Sequence, residues 1–262
     1  MQIAHDRTGA GPALVLLHPL GADRHVWDPV VPALAVERTV VTVDLPGFGG
    51  TPPLNGVTPT PEALAGAVAA GLAELELATG AEGRLHVAGN SLGGWVALEL
   101  ALRGIAASVT AIAPAGLWSK PLVPKASVGH LLARTLEPVA LAAVGTGPGR
   151  RALLTGSIVH PERMTATQAQ SLLRAYARAP GFVAVNNAMR AGHFVKLARI
   201  TVPVTLVWPE HDRLVRRPAA LPGRVRNVDL PDAGHIPMWD APALLAQTML
   251  EGSAEPLTEQ PA

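Results

Sequence analysis

The chain has 262 residues, 48% of them hydrophobic and 16% charged, enough apolar surface for a packed core and too much for a disordered or collagen-like chain. Its 21 Lys and Arg against 20 Asp and Glu leave a formal charge of +1, too small to hold a phosphate backbone, so nucleic acid is not an expected partner. The absence of cysteine excludes disulfides, Cys–zinc sites and thiol catalysis.

The mean hydropathy of +0.28 comes from scattered Ala, Val and Leu, because no run reaches the roughly 18 apolar residues of a membrane span. Met1 to Gly11 lacks the basic-then-apolar layout of a secretory signal. A cytoplasmic protein with no membrane partner, monomeric or homodimeric, is therefore expected.

In chain order, short apolar runs bounded by Gly, Pro or Asp alternate with helical patterns, as in a parallel sheet covered on both faces. Strands are predicted at Ala13 to Leu17, Val40 to Val43, Leu85 to Ala88, Val109 to Ala113, Val204 to Trp208 and Val225 to Leu230, with Gln2 to His5 as an edge strand. Thr60 reads as an N-cap with Pro61 at the first helical position, and Leu64, Val68, Leu72 and Leu77 follow at helical spacing. Residues 117–198 are far longer than a crossover needs and read as a helical insertion, or lid. Within it Val128, Leu131, Leu132 and Leu136 mark one amphipathic helix, and Thr165 with Gln168 forms a capping box opening another that stops before Pro180. Pro121, Pro124, Pro138, Pro148 and Pro161 cut the insertion into short pieces. The organisation is then a core of 1–116 and 199–250, the lid at 117–198 and a flexible tail at 251–262.

Gly89-Asn90-Ser91-Leu92-Gly93-Gly94 lies between the strand ending at Ala88 and a helix pattern from Trp95 to Arg103. A serine at a sharp strand-to-helix turn is held out of the sheet, and glycines two residues either side remove the Cβ atoms that would clash there. Leu92 N–H falls at the helix N-terminus, where unpaired donors can hold a developing oxyanion. A serine hydroxyl needs a base, and His235 follows the last strand on the same sheet edge. A carboxylate must orient that imidazole: Asp212 follows the preceding strand, with Glu210 and Asp232 as rivals.

Taken together these motifs resemble the α/β-hydrolase fold superfamily, among its lidded bacterial ester, lactone and carbon–carbon bond hydrolases, over nearly the whole chain. The order Ser91, Asp212, His235 is the order of that fold. Two further motifs match: His18-Pro19-Leu20-Gly21 resembles the family's H-G-x-G turn, which implies Leu20 N–H as the second oxyanion donor, and Asp44-Leu45-Pro46-Gly47-Phe48-Gly49-Gly50-Thr51 resembles its D-x-P-G-x-G-x-S turn, for which a structural role is expected. Pro19 and Pro209 stand where the family usually has Gly.

The resemblance implies an α/β fold with a mostly parallel, doubly wound sheet and a cofactor-free serine hydrolase acting on a small to medium apolar ester, thioester or lactone. Asn90, Trp118 and Trp239 are expected to line its substrate pocket. Asn90 beside the serine also fits a carbon–carbon bond hydrolase of the meta-cleavage type, and the same fold serves cofactor-free haloperoxidases, lyases and non-catalytic receptors. No histidine spacing suits a metal. Arg213, Arg216, Arg217, Arg224 and Arg226 read as a solvated face.

Overall fold

The protein is described from a computed structural model covering residues 2–77, 83–123, 127–221 and 225–254. Seven strands form one sheet: β1 (His5–Thr8), β2 (Ala13–Leu17), β3 (Thr39–Val43), β4 (Leu85–Asn90), β5 (Ala106–Ile112), β6 (Val204–Pro209) and β7 (Val225–Leu230), in the spatial order β1-β3-β2-β4-β5-β6-β7. Among the described residues β1 is the only antiparallel strand.

Strand β2 is buried throughout, and its residues alternate between two cores. Ala13, Val15 and Leu17 join the cluster under helices α2 (Pro61–Leu72) and α3 (Leu92–Leu102), while Leu14 and Leu16 join the one under α1 (Val31–Leu34) and α9 (Pro242–Gly252). A strand covered on both faces has no polar side to show, which is why it reads as a continuous apolar run.

The edge strand begins later than the predicted Gln2 to His5. Ala4 spends its N–H on Thr51 Oγ1 and its carbonyl on Asp44 N–H, so the first residues are tied to a loop, and pairing with β3 starts at His5. Helix α2 opens as expected, with Thr60 Oγ1 accepting from Ala63 N–H, but it ends at Leu72, so Leu77 is not on it. Between β5 and β6 lie α4 (Val128–Thr135), α5 (Glu137–Val144), α6 (Gly147–Leu154), α7 (Ala166–Arg178) and α8 (Phe182–Ala191). The expected capping box is present at Thr165 and Gln168. The amphipathic helix expected from Val128 to Leu136 is α4, which stops at Thr135 with Leu136 as its C-cap, and α5 follows at once with Pro138 in its first turn. At the far end α9 runs to Gly252, so Glu251 and Gly252 are helical rather than tail. Pro124, Arg224 and residues 255–262 lie outside the described residues.

Candidate active site

The order of the sheet reverses between β2 and β4, the place where an open α/β sheet leaves a crevice beyond its strand ends. Leu17 pairs with Gly89, so the loops after these two strands, His18-Pro19-Leu20-Gly21 and Asn90-Ser91-Leu92, leave the sheet side by side. Two strands beyond β4, Pro209 of β6 pairs with Leu230 of the neighbouring β7, bringing the loops of Asp212 and His235 together on the same edge.

Ser91 sits at φ 54°, ψ −112°, a conformation costly for any residue with a Cβ. Backbone bonds hold it there: its N–H donates to Ile112 O at 2.9 Å, and its carbonyl accepts from Ala115 N–H at 2.9 Å and Trp95 N–H at 3.1 Å. The turn closes so tightly that a Cβ on Gly93 would stand 2.0 Å from Leu17 O, and one on Gly89 2.2 Å from Gly93 O. Both glycines are steric requirements of the elbow.

His235 Nδ1 lies 2.8 Å from Asp212 Oδ2, with both side chains almost fully buried at 6% and 3% exposure. The other Asp212 oxygen accepts from Leu214 and Val215 N–H at 2.7 and 3.0 Å, so the carboxylate is fixed by its own loop. The two rival acids are engaged elsewhere: Asp232 Oδ2 is 2.7 Å from His160 Nε2, and Glu210 accepts from Asp232 N–H at 3.0 Å. Partnership with Asp232 raises the pKa of the His160 imidazole above its ordinary value. Pro209 does not displace the acid, because the Asp212 N–H still closes a turn onto Pro209 O at 3.2 Å.

Asn90 links the serine turn to the histidine loop. Its amide nitrogen donates to His235 O at 3.0 Å and to Ile112 O at 3.1 Å, leaving a fully buried Oδ1 that has no hydrogen bond among the described residues. Asn90, expected to line the substrate pocket, thus donates from its amide to the protein itself. Trp118 donates through Nε1 to Gly192 O at 2.8 Å and packs edge-on against Trp95. Trp239 is buried in the other core, its Nε1 without a hydrogen bond among the described residues.

The His18 turn is locked by its own imidazole. Nδ1 donates to Pro19 O at 2.8 Å and Nε2 accepts from Leu45 N–H at 2.9 Å, an assignment fixed by the neighbours, since a carbonyl accepts and an amide N–H donates. Burial pushes the pKa of His18 below its ordinary value, and the hydrogen bond to Pro19 only partly offsets this. Pro19 O also accepts from Ala22 N–H at 3.2 Å. In a planar trans peptide the C=O and N–H point opposite ways, so fixing this carbonyl also fixes the direction of Leu20 N–H. Among the described residues neither Leu20 N–H nor Leu92 N–H has a protein acceptor. The proline in place of the usual glycine therefore leaves this donor in place.

Asp44 does the structural work expected of its turn. It is fully buried and accepts from Arg24 N–H at 2.7 Å, Arg24 Nη1 at 2.6 Å and Gly50 N–H at 2.7 Å.

The sequence reading passed over Asp240. This buried carboxylate accepts from Gly234 N–H at 2.9 Å on the histidine loop, and from Val159 N–H at 3.1 Å and His160 N–H at 2.8 Å in the insertion. Ile236 N–H donates to Ser157 O at 2.9 Å alongside it. The only sequence signal was an acid five residues beyond His235, with no pattern to tell it from a surface acid.

A family model described as the alpha/beta hydrolase family matches residues 14–248. The chain belongs to this family. A pimeloyl-[acyl-carrier protein] methyl ester esterase of Aeromonas hydrophila is 45% identical over 102 residues, 39% of this chain and 37% of that protein's length. The epoxide hydrolase EphH of Mycobacterium tuberculosis is 32% identical over 179 residues, 62% of this chain and 82% of that protein. Among solved structures, the enol-lactonase of Burkholderia xenovorans LB400 superposes with a TM-score of 0.73 at 23% identity, over 97% of this chain and 96% of that one, a likeness of fold.

Proposed function

We propose that the chain is a serine hydrolase of carboxylic esters, thioesters or lactones, with Ser91 as nucleophile, His235 as general base and acid, Asp212 as the acid that orients the imidazole, and residues 117–198 as a cap. The observation that carries this reading is the buried 2.8 Å contact between Asp212 and His235 on the sheet edge that also bears the strained Ser91 turn, the two loops being joined by Asn90.

In the proposed cycle Ser91 Oγ attacks the carbonyl carbon as its proton passes to His235 Nε2, and the carbonyl π-electrons move onto oxygen. Leu20 and Leu92 N–H receive that oxyanion, and each such donor is typically worth about 100- to 1,000-fold in kcat. The tetrahedral species collapses and the carbon–leaving-group bond breaks, the leaving group taking the proton from His235. Water, deprotonated by the same imidazole, then releases the acid and restores Ser91 Oγ–H. Throughout, Asp212 holds Nδ1–H toward itself, which leaves Nε2 as the nitrogen that takes up and returns the proton.

Serine chemistry also favours an acyl substrate over the epoxide of the mycobacterial relative. Opening an epoxide with a serine oxygen would leave an ether that water does not cleave, whereas an acyl-serine ester is resolved by the same histidine. The rings of Tyr176 and Phe182 packed over Gly21 of the His18 turn fit an apolar acyl or leaving group.

A fluorophosphonate probe is expected to label the wild-type protein at one site. Ser91→Ala is expected to abolish labelling and to lower kcat on p-nitrophenyl esters by about 10,000-fold or more, with an unchanged thermal melt. A folded wild-type protein that fails to label overturns the reading. A series of acyl chain lengths and lactone ring sizes then ranks the substrates.

A further inference from the structure

Five of the larger apolar residues along α4, α5 and the junction between them face away from the protein. Val128, Leu131, Leu132, Leu136 and Val139 are between 50% and 67% exposed, while His130 and Val144 turn inward, His130 stacked on Phe182 at 4.4 Å. Glu137 is drawn to Arg178 at 2.6 Å, so the exposed charge of this face is the cation of Arg134. The surrounding charge is just as uneven. Residues 117–198 carry ten Lys and Arg against the two acids Glu137 and Glu162, a formal +8, whereas the rest of the chain carries eleven against eighteen, a formal −7. Both acids of the insertion are already in ion pairs, Glu162 with His160 at 3.2 Å and Arg151 at 4.0 Å. Core acids neutralise two of the cations, Asp232 facing Arg163 and Glu62 facing Lys196 at 3.9 Å each, and the insertion still keeps a net positive charge.

We propose that the outer face of α4 and α5 docks on an anionic lipid surface. Aliphatic side chains standing out of a helical face within a cationic surround are what an interfacial segment needs: the apolar groups enter the acyl boundary and the cations meet the headgroups. The stretch from Val128 to Val144 is too short to cross a bilayer and lies along the protein surface. The expectation of no membrane partner rested on the lack of a spanning segment, which does not bear on a surface of this kind. A second copy is a poorer occupant, because pairing like faces would set Arg134 against Arg134 and bring together two insertions that each carry a net positive charge. The inference stands on exposure and charge alone, so it survives or fails independently of the proposed chemistry.

The test is co-sedimentation of the full chain with vesicles of phosphatidylglycerol and phosphatidylcholine, or of phosphatidylcholine alone, at low and high salt. Binding is expected on the anionic vesicles, falling about tenfold on neutral ones and again with salt. Leu132→Gln combined with Leu136→Gln is expected to weaken it about tenfold or more with the thermal melt unchanged. Arg134→Glu, which leaves the leucines in place, provides a second variant with the same expected direction. Any of four results overturns the proposal: a folded protein that sediments with neither vesicle, binding indifferent to the leucine pair, retention on polyglutamate without vesicle binding, or a dimer by light scattering that the leucine pair dissolves.

Discussion

Helices α3 and α4 are both rich in aliphatic residues, and the fold treats them in opposite ways. Every residue of α3 from Leu92 to Leu100 is buried, because the helix lies between the sheet and α2, and its first turn must approach the backbone of β2 closely enough to seat Ser91. Helix α4 buries His130 alone and turns its valine and leucines outward. The frame that holds the site is thus over-determined, whereas the outer insertion touches it along one side and leaves the other free for a partner. Apolar composition alone does not tell a core helix from a docking helix. What decides is how many faces have a neighbour.

Gly93→Ala attacks the over-determined side most directly. Its Cβ would meet the carbonyl of Leu17, which belongs to a central strand and cannot retreat, so a loss above about 4 kcal/mol, read as insoluble expression or a collapsed urea midpoint, is expected.

Asp240→Asn strikes the seam between the two regions. Three backbone N–H donors converge on the carboxylate, and an amide would set its own NH2 group against at least one of them. The expected cost is about 1–3 kcal/mol in urea denaturation, with kcat on an ester substrate falling about 10- to 100-fold as the His235 loop loosens.

A smaller effect comes from pH. Burial depresses the pKa values of His18 and His130 below 6.5 in the folded state, so the unfolded chain binds more protons and stability declines as pH drops below about that value. The contribution is fully present above the unfolded pKa and is lost as pH falls through the folded ones. His18→Asn, which cannot titrate, is expected to flatten that part of the curve in denaturant melts between neutral and mildly acidic pH.

The smallest effect is Leu132→Gln, expected to shift stability by no more than about 0.5 kcal/mol, where Leu98→Ala in α3 should cost about 2–5 kcal/mol. A large loss from Leu132→Gln would mean that α4 is core after all and would erase the contrast between the two helices.

Much of the site was legible because it rests on local stereochemistry. Gly89, Ser91 and Gly93 announce a strained elbow wherever a strand feeds a helix, and His18 precedes a turn of recognisable pattern. Choosing among Asp212, Glu210 and Asp232 was a different kind of problem. All three acids stand on loops after adjacent strands, and their separation depends on His160, more than 50 residues upstream, claiming Asp232. Asp240 was invisible for the same reason, since two of its three donors come from the insertion.

The amino-acid order alone therefore determined the alternation of strands and helices, the length of the insertion and the turn that bears Ser91. These follow from apolar periodicity and from which residues tolerate a sharp backbone, both properties of neighbouring positions. Only the tertiary structure decided where α2 stops, which acid meets His235, how Asn90 and Asp240 bind loops together, and that the leucines of α4 face outward. Each of these depends on groups brought close by folding from distant parts of the chain, and no local pattern encodes which of them will arrive first.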